Sequence, residues 1–394
     1  MCLQVLLATL LLGSAPAAPG AQPSTSPRAM DGGGEAPAPR AAAPRLSAHP
    51  ERPFIEQASN GGQHLSFELV IHGDADVAPK LVKLELDVRD EDGQLAWSRR
   101  LEGNGFSPGL SILPKTEVPA KGTLYLFNPF HSFTRGLELS TLHYRLTFET
   151  ADEREVRAEL TVHPRRFVQA TRLTLPLRGR MFVHSGHDFL AHHRRLDLGH
   201  PVLGMLGVRS NGGRYALDLC PTDEAGAMFR GEGRRNEDWY GWGAPVYAPA
   251  AGTVVVSVDG VPDNLLGGAS FKPDLDAVRK DPMSLAGNVV VIDHGKGEYS
   301  LLAHLRQNTV TVKPGDTVRA GQLLGQVGMS GDAYIPHVHY ELRDGRASTW
   351  DTAGVEGLPA RFSDFTRVLG RGRERVALGA VDSGERVEAR AVNR

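Results

Sequence analysis

Apolar and polar positions alternate through most of the chain between Pro53 and His163. Leu65, Phe67, Leu69 and Ile71 share one face of a run, as do Val82, Leu84, Leu86 and Val88. The pattern returns at Leu142, Tyr144, Leu146 and Phe148, and again at Val156, Ala158, Leu160 and Val162. A period of two is that of a half-buried strand. Leu95/Trp97 and Leu124/Leu126 supply two shorter runs. Strands this closely spaced, with Asp, Gly and Pro turns between them, predict an immunoglobulin-like β-sandwich over residues 51–165.

Strands continue in the segment 166–345. The pattern predicts them at Gly252–Val258, Asn288–Asp293, Glu298–His304, Val310–Val312, Gln322–Val327 and His337–Leu342, with Gly turns such as Pro314-Gly315-Asp316 between them. One helix is predicted, Pro273–Lys280, within an insertion from Asp259 to Ala286. Strand-like pieces at Arg361–Val368 and Arg375–Val381 follow in a C-terminal extension, 346–394. The expected class is all-β, in two domains.

The first residues read differently. Leu3–Leu12 is apolar but too short to span a bilayer, and the small residues Gly13-Ser14-Ala15-Pro16-Ala17 follow it. This predicts a signal peptide over 1–17, and so export to the periplasm, the cell envelope or the exterior. Cys2 precedes the apolar stretch, which excludes a lipoprotein anchor. Residues 18–50 are rich in Ala and Pro and predict a flexible linker. No later apolar run reaches ~18 residues, so no integral membrane protein is expected.

Charge removes further classes. With 44 Lys and Arg against 46 Asp and Glu, the net charge is −2, and no global field recruits nucleic acid. Two cysteines exclude a disulfide scaffold and a thiolate zinc site. Histidine is the residue that concentrates, nine of the 15 falling between His184 and His339.

Three short segments carry that chemistry. In Pro336-His337-Val338-His339-Tyr340-Glu341 the two histidines stand at i and i+2 on a strand, so both imidazoles face one side. His304 ends the apolar run Leu301-Leu302-Ala303. Asp218 lies inside Tyr215-Ala216-Leu217-Asp218-Leu219, where a buried carboxylate requires a cation or donors. A zinc site of imidazoles and one carboxylate satisfies all three segments together.

In these segments and those around them the chain resembles the lysostaphin-type, LytM-like zinc endopeptidases, which cut peptide bonds in bacterial peptidoglycan. The matching stretches run in order: Tyr215–Leu219, Gly243–Val254, Gly287–Gly295, Leu302–Leu305, Val312–Asp316, Gly321–Gly325 and Pro336–Glu341. The resemblance implies a C-terminal β-sheet and barrel-sandwich peptidase domain, with a peptidoglycan peptide as substrate. It also implies Asp218 and His339 as zinc ligands and His304 and His337 as catalytic, non-ligating histidines.

One position departs from the family. Its first two ligands are normally written H-x-x-x-D, and four residues before Asp218 stands Arg214, which has no lone pair for zinc. Members that resemble this sequence displace the histidine upstream, into an Asn-x-His segment. Ala191-His192-His193 occupies a comparable place, so His193 is the expected third ligand, with His192 next and His184, His187 and His200 in the same cluster. Arg214 stands two residues before Ala216 and four before Asp218 on the expected strand, so its guanidinium should point to the same face, to bind a substrate carboxylate or to pair with Asp218 itself. Trp239, Tyr240 and Trp242 are candidates for cleft walls. Two further readings remain: a degenerate family member that binds wall or activates other wall hydrolases, and a biotinyl- or lipoyl-like carrier, for which neither hairpin offers a Lys at its tip.

Overall fold

Leu142, Tyr144, Leu146 and Phe148 are fully buried, at the centre of the first apolar layer in the computed structural model. The structure describes residues 43–58, 60–73, 78–105, 109–188, 191–266, 278, 280, 282–345 and 354–390. The expected signal peptide, most of the linker and most of the expected helix Pro273–Lys280 lie outside these residues.

Structure begins earlier than Pro53. Strand β1 (Arg45–His49) pairs with β4 (Glu68–His72), and β4 pairs with β7 (Thr123–Phe127). A second antiparallel sheet runs in the order β10 (Glu155–Val162), β9 (Thr141–Glu149), β5 (Lys80–Arg89), β6 (Leu95–Glu102). The two sheets share one apolar core, which includes Leu69, Ile71, Leu84, Leu86 and Tyr144. A smaller sheet links β11 (Arg165–Arg166), β2 (Phe54–Gln57), β3 (Gln63–Leu65) and β8 (Ser132–Phe133).

Two sequence patterns are broken by local irregularity. The run from Leu65 to Ile71 divides between β3 and β4. A bulge between Leu81 and Lys83 shifts the pleat, so Leu81 is buried where alternation put Val82.

The rest of the chain is built on a ten-stranded sheet. Its order is β18 (Thr317–Val318), β15 (Gly252–Val258), β16 (Asn288–Asp293), β17 (Tyr299–Leu305), β20 (Val338–Arg343), β13 (Leu217–Pro221), β12 (Gly179–Ser185), β23 (Arg386–Ala389), β21 (Phe362–Leu369), β22 (Gly372–Gly379). A two-stranded ribbon pairs β14 (Pro245–Tyr247) with β19 (Leu323–Gln326). Val310–Val312 is not a strand. The C-terminal extension is thus part of the sheet, and Phe362, Phe365 and Val387 share a core with Leu217, Val290 and Tyr340. Phe54 of β2 enters that same core, which seats the first part of the chain against the second. No helix among the described residues is long and apolar enough to cross a membrane.

Candidate metal centre

Register brings the predicted residues together. Asp218 on β13 stands opposite His339 on β20, and Ala303, next to His304, stands opposite His339 on the other side. His339 Nδ1 lies 3.1 Å from Asp218 Oδ1. Its Nε2 donates to Glu341 Oε1 at 2.8 Å, two residues along the same strand face. Arg343 Nη2 holds the other Glu341 oxygen at 2.6 Å. Burial opposes ionisation of Glu341, but Arg343 and the His339 bond outweigh it and hold the carboxyl at about 2. For His339 burial likewise favours the neutral ring, yet the bonds to Asp218 and Glu341 raise it to about 9.

The upstream histidines arrive on a 3-10 turn, His192–Arg195. His193 is buried, and its Nε2 lies 3.1 Å from Asp218 Oδ2. His192 packs on it with ring centroids 3.8 Å apart, its own Nε2 3.8 Å from the same oxygen and without a hydrogen bond. Burial lowers the pKa of both rings, His192 to about 2, which favours their neutral forms. Burial also works against an Asp218 carboxylate, but His193 and His337 overcome it and hold the group well below its ordinary range.

Among the described residues, His192, His193 and Asp218 each bring a ligand atom within 4.8 Å of one another, and His339 joins them through Asp218; imidazoles with one carboxylate are donors that suit zinc. Ligand atoms on a tetrahedron with bonds of 2.0–2.1 Å stand about 3.3 Å apart. Asp218 Oδ2 lies 3.1 Å from His193 Nε2, and Asp218 Oδ1 lies 3.1 Å from His339 Nδ1, close to that spacing. Glu341 accepts the Nε2 proton of His339, which leaves Nδ1, the nitrogen that faces Asp218, as the atom able to ligate a metal.

Two further imidazoles close the site. His304 Nδ1 donates to the Ser330 carbonyl at 2.9 Å, and His337 Nδ1 donates to the Ile335 carbonyl at 2.8 Å. With the Nδ1 proton so held, the neutral form of each ring carries its lone pair on Nε2. The rings lie 5.0 Å apart, and His337 Nε2 is 3.4 Å from Asp218 Oδ1 without hydrogen-bond geometry. His304 has φ of 60°, a left-handed conformation held by the bonds of its backbone to Ala286 and Gly328. Burial, then His337 and His339, depress its pKa well below the ordinary histidine value.

The other histidines of the cluster have separate partners. His184 meets the Tyr334 hydroxyl. His187 Nε2 donates to the Tyr215 carbonyl at 3.1 Å, and His200 Nδ1 accepts from the Val202 amide at the start of a short helix, Pro201–Met205. Trp239 is buried against Phe229 and donates to the Gly233 carbonyl, while Trp242 lies under the Arg306 guanidinium. Cys220 is buried, and burial pushes its thiol up, so it is no nucleophile.

Arg214 differs from its expected placement. It belongs to a turn before β13, not to the strand, so alternation does not set its direction. Its guanidinium makes a two-pronged bond to Glu68 at 2.8 and 2.9 Å, and its Nε meets Glu356 at 3.1 Å. Its hydrogen bonds thus run to Glu68 and Glu356 and not to Asp218. Glu341 is legible in the segment Pro336–Glu341, where it stands two residues from His339 on one strand face. Nothing local marked Glu56, Glu68 or Glu356.

Residues 240–350 match the model of Peptidase family M23. Over 82 residues the chain is 38% identical to the murein hydrolase activator EnvC of Escherichia coli, covering 19% of each chain. Over 57 residues it is 44% identical to the peptidoglycan DD-endopeptidase ShyA of Vibrio cholerae, covering 14% of this chain and 13% of that one. Less than a fifth of the length of either relative is spanned. Among solved structures, the antimicrobial peptidase lysostaphin from Staphylococcus simulans matches 56% of this chain and 85% of its own, at 13% identity and a TM-score of 0.25. The family match covers His304, His337 and His339, and the sheet brings Asp218 to them from outside it; the chain thus carries, over residues 240–350, a LytM-like domain of peptidase family M23.

Proposed function

We propose that this chain is an exported zinc endopeptidase that hydrolyses peptide bonds of bacterial peptidoglycan. His193, Asp218 and His339 would hold the metal, and His304 and His337 would do the proton work. The observation that carries the reading is the carboxylate of Asp218, 3.1 Å from both His193 and His339, faced by imidazoles whose free nitrogens have no other bond.

Zinc in such a site supplies Lewis acidity. The protein's part follows from its atoms. His337 Nε2, on the Asp218 side, accepts a proton from the attacking water. His304, held by Ser330 with its ring 5.0 Å from that of His337 and 5.7 Å from that of His339, steadies the charge that grows on the substrate oxygen once it carries a proton. Glu341 keeps His339 in its ligating tautomer.

The test is chemical. One zinc should accompany each chain; His339→Ala should lose it and His304→Ala should keep it. Purified sacculi should lose crosslinks and release new amines, and a chelator should stop the release. Reducing sugar ends without new amines would overturn the peptidase reading. A second reading, a degenerate member that binds wall or activates other hydrolases, draws on Arg214 at the usual ligand position and on a relative named as an activator. Zinc-free protein that binds sacculi and releases no amines would favour it.

A further inference from the structure

Each of the two segments that bring upstream donors to the centre carries a buried arginine, and both arginines reach the first part of the chain. Arg194 follows His193 in the same turn and grips Glu56 of β2 at 2.5 and 2.6 Å. Arg214, four residues before Asp218, grips Glu68 of β4. All four side chains are at most 4% exposed. The guanidinium of Arg194 also lies over the Tyr215 ring, 4.9 Å from its centroid, and so touches the second segment too. Glu356 ties Arg214 to His49 of β1 at 2.8 Å. The turn itself has no side-chain cap, and Asn211 Nδ2 bonds the His193 carbonyl at 2.9 Å from the loop that leads to Arg214.

We propose that Glu56 and Glu68 are positioning residues of the metal centre: strands β2 and β4 clamp His193 and Asp218 into ligating geometry through Arg194 and Arg214. This rests on the metal-centre reading above. A 3-10 turn of one revolution has little intrinsic stability. Metal bonds of fixed length tolerate little drift in their donors, so something must hold the turn. A charged fork locked on a buried carboxylate does so, and its direction is set by the sheet that carries the carboxylate. Strands β2 and β4 are therefore part of the site, not of a separable wall-binding module.

Cobalt(II), titrated into the full-length chain freed of metal, reports both affinity and ligand geometry through its visible bands. Glu56→Gln removes one charge of the clamp. The double replacement Glu56→Met with Arg194→Met removes both charges, a change that buried ion pairs often tolerate without loss of fold. Both variants should bind cobalt at least about tenfold more weakly than the parent, with altered bands, in protein whose far-ultraviolet spectrum is native. If Glu56→Gln fails to fold, the double replacement decides. Parental affinity and bands in the folded variants would overturn the clamp while leaving the metal centre intact. A parent that binds no cobalt would overturn both.

Discussion

Restoring the family's histidine at position 214 should damage this protein. Arg214→His removes a guanidinium that makes three charged bonds, at 2.8, 2.9 and 3.1 Å. It leaves Glu68, 1% exposed, and Glu356, 14% exposed, without their main cation. Breaking one partner of a buried pair costs about 3–5 kcal/mol, a large share of the ~5–15 kcal/mol that holds a domain folded. At roughly 2–4 °C per kcal/mol for a domain of this size, the midpoint of thermal unfolding should fall by roughly 10 °C. Burial already pushes the Glu68 carboxyl up against the pull of Arg214, so in the variant it takes up a proton more readily. The deficit should accordingly be largest at neutral pH and shrink in mild acid. Calorimetry of parent and variant between pH 7.5 and 5 measures both effects. The new imidazole should not enter the metal centre, because the turn at 211–216 aims this side chain at β4; Arg214→His combined with His193→Ala should hold no more zinc than His193→Ala alone. A midpoint within about 2 °C of the parent, which surface substitutions routinely give, or zinc recovered in the double variant, would refute the reasoning.

Glu341→Gln should weaken zinc binding about 10–100-fold in chelator competition, since His339 loses the carboxylate that fixes its tautomer. Gly287 has φ of +66°, and a Cβ there would meet Ser330 Oγ at 2.4 Å and the Ser330 carbonyl carbon at 2.5 Å; Gly287→Ala should therefore displace the acceptor of His304 and lower kcat by about a hundredfold with zinc content unchanged. Burial holds His187 at about 3 and His131 at about 4, both below the ordinary 6.5. The unfolded chain thus takes up these protons first, so stability is full above about pH 6.5 and declines as the pH falls toward 4 and 3. A urea midpoint that stays level from pH 7.5 to 4.5 would contradict this.

The strand segments and the inner site were legible because both rest on local periodicity. Leu142–Phe148 and Asn288–Asp293 alternate or run apolar within one element, and His337, His339 and Glu341 share a face by spacing alone. His193 was readable as a displaced ligand through the family resemblance, and the turn carries it to Asp218. The partners of Arg194 and Arg214 were not readable. They lie 138 and 146 residues away in sequence, and a lone Glu on a strand carries no mark of the arginine it will meet. Arg214 was misplaced for a local reason as well. The strand pattern of Leu217 and Leu219 does not extend back through Gly212-Gly213, where the chain turns instead. The bulge at Leu81–Lys83 leaves no mark in the sequence, because Val82 fits the alternation as well as Leu81 fits the structure.

Strand β12 has β13 on one side and β23 on the other, so Met181 pairs with Val387 near the end of the chain. Such a contact, roughly two hundred residues apart in sequence, is among the last a folding chain can make, and it slows completion of the whole sheet. Until β23 arrives, the far edge of β12 is a row of unsatisfied amides and carbonyls beside the strand that carries Asp218. An open edge of this kind pairs readily with another unfinished chain. Loss of the segment beyond Arg361 would thus show itself as self-association during refolding, with the short C-terminal strands acting as the molecule's protection against its own copies.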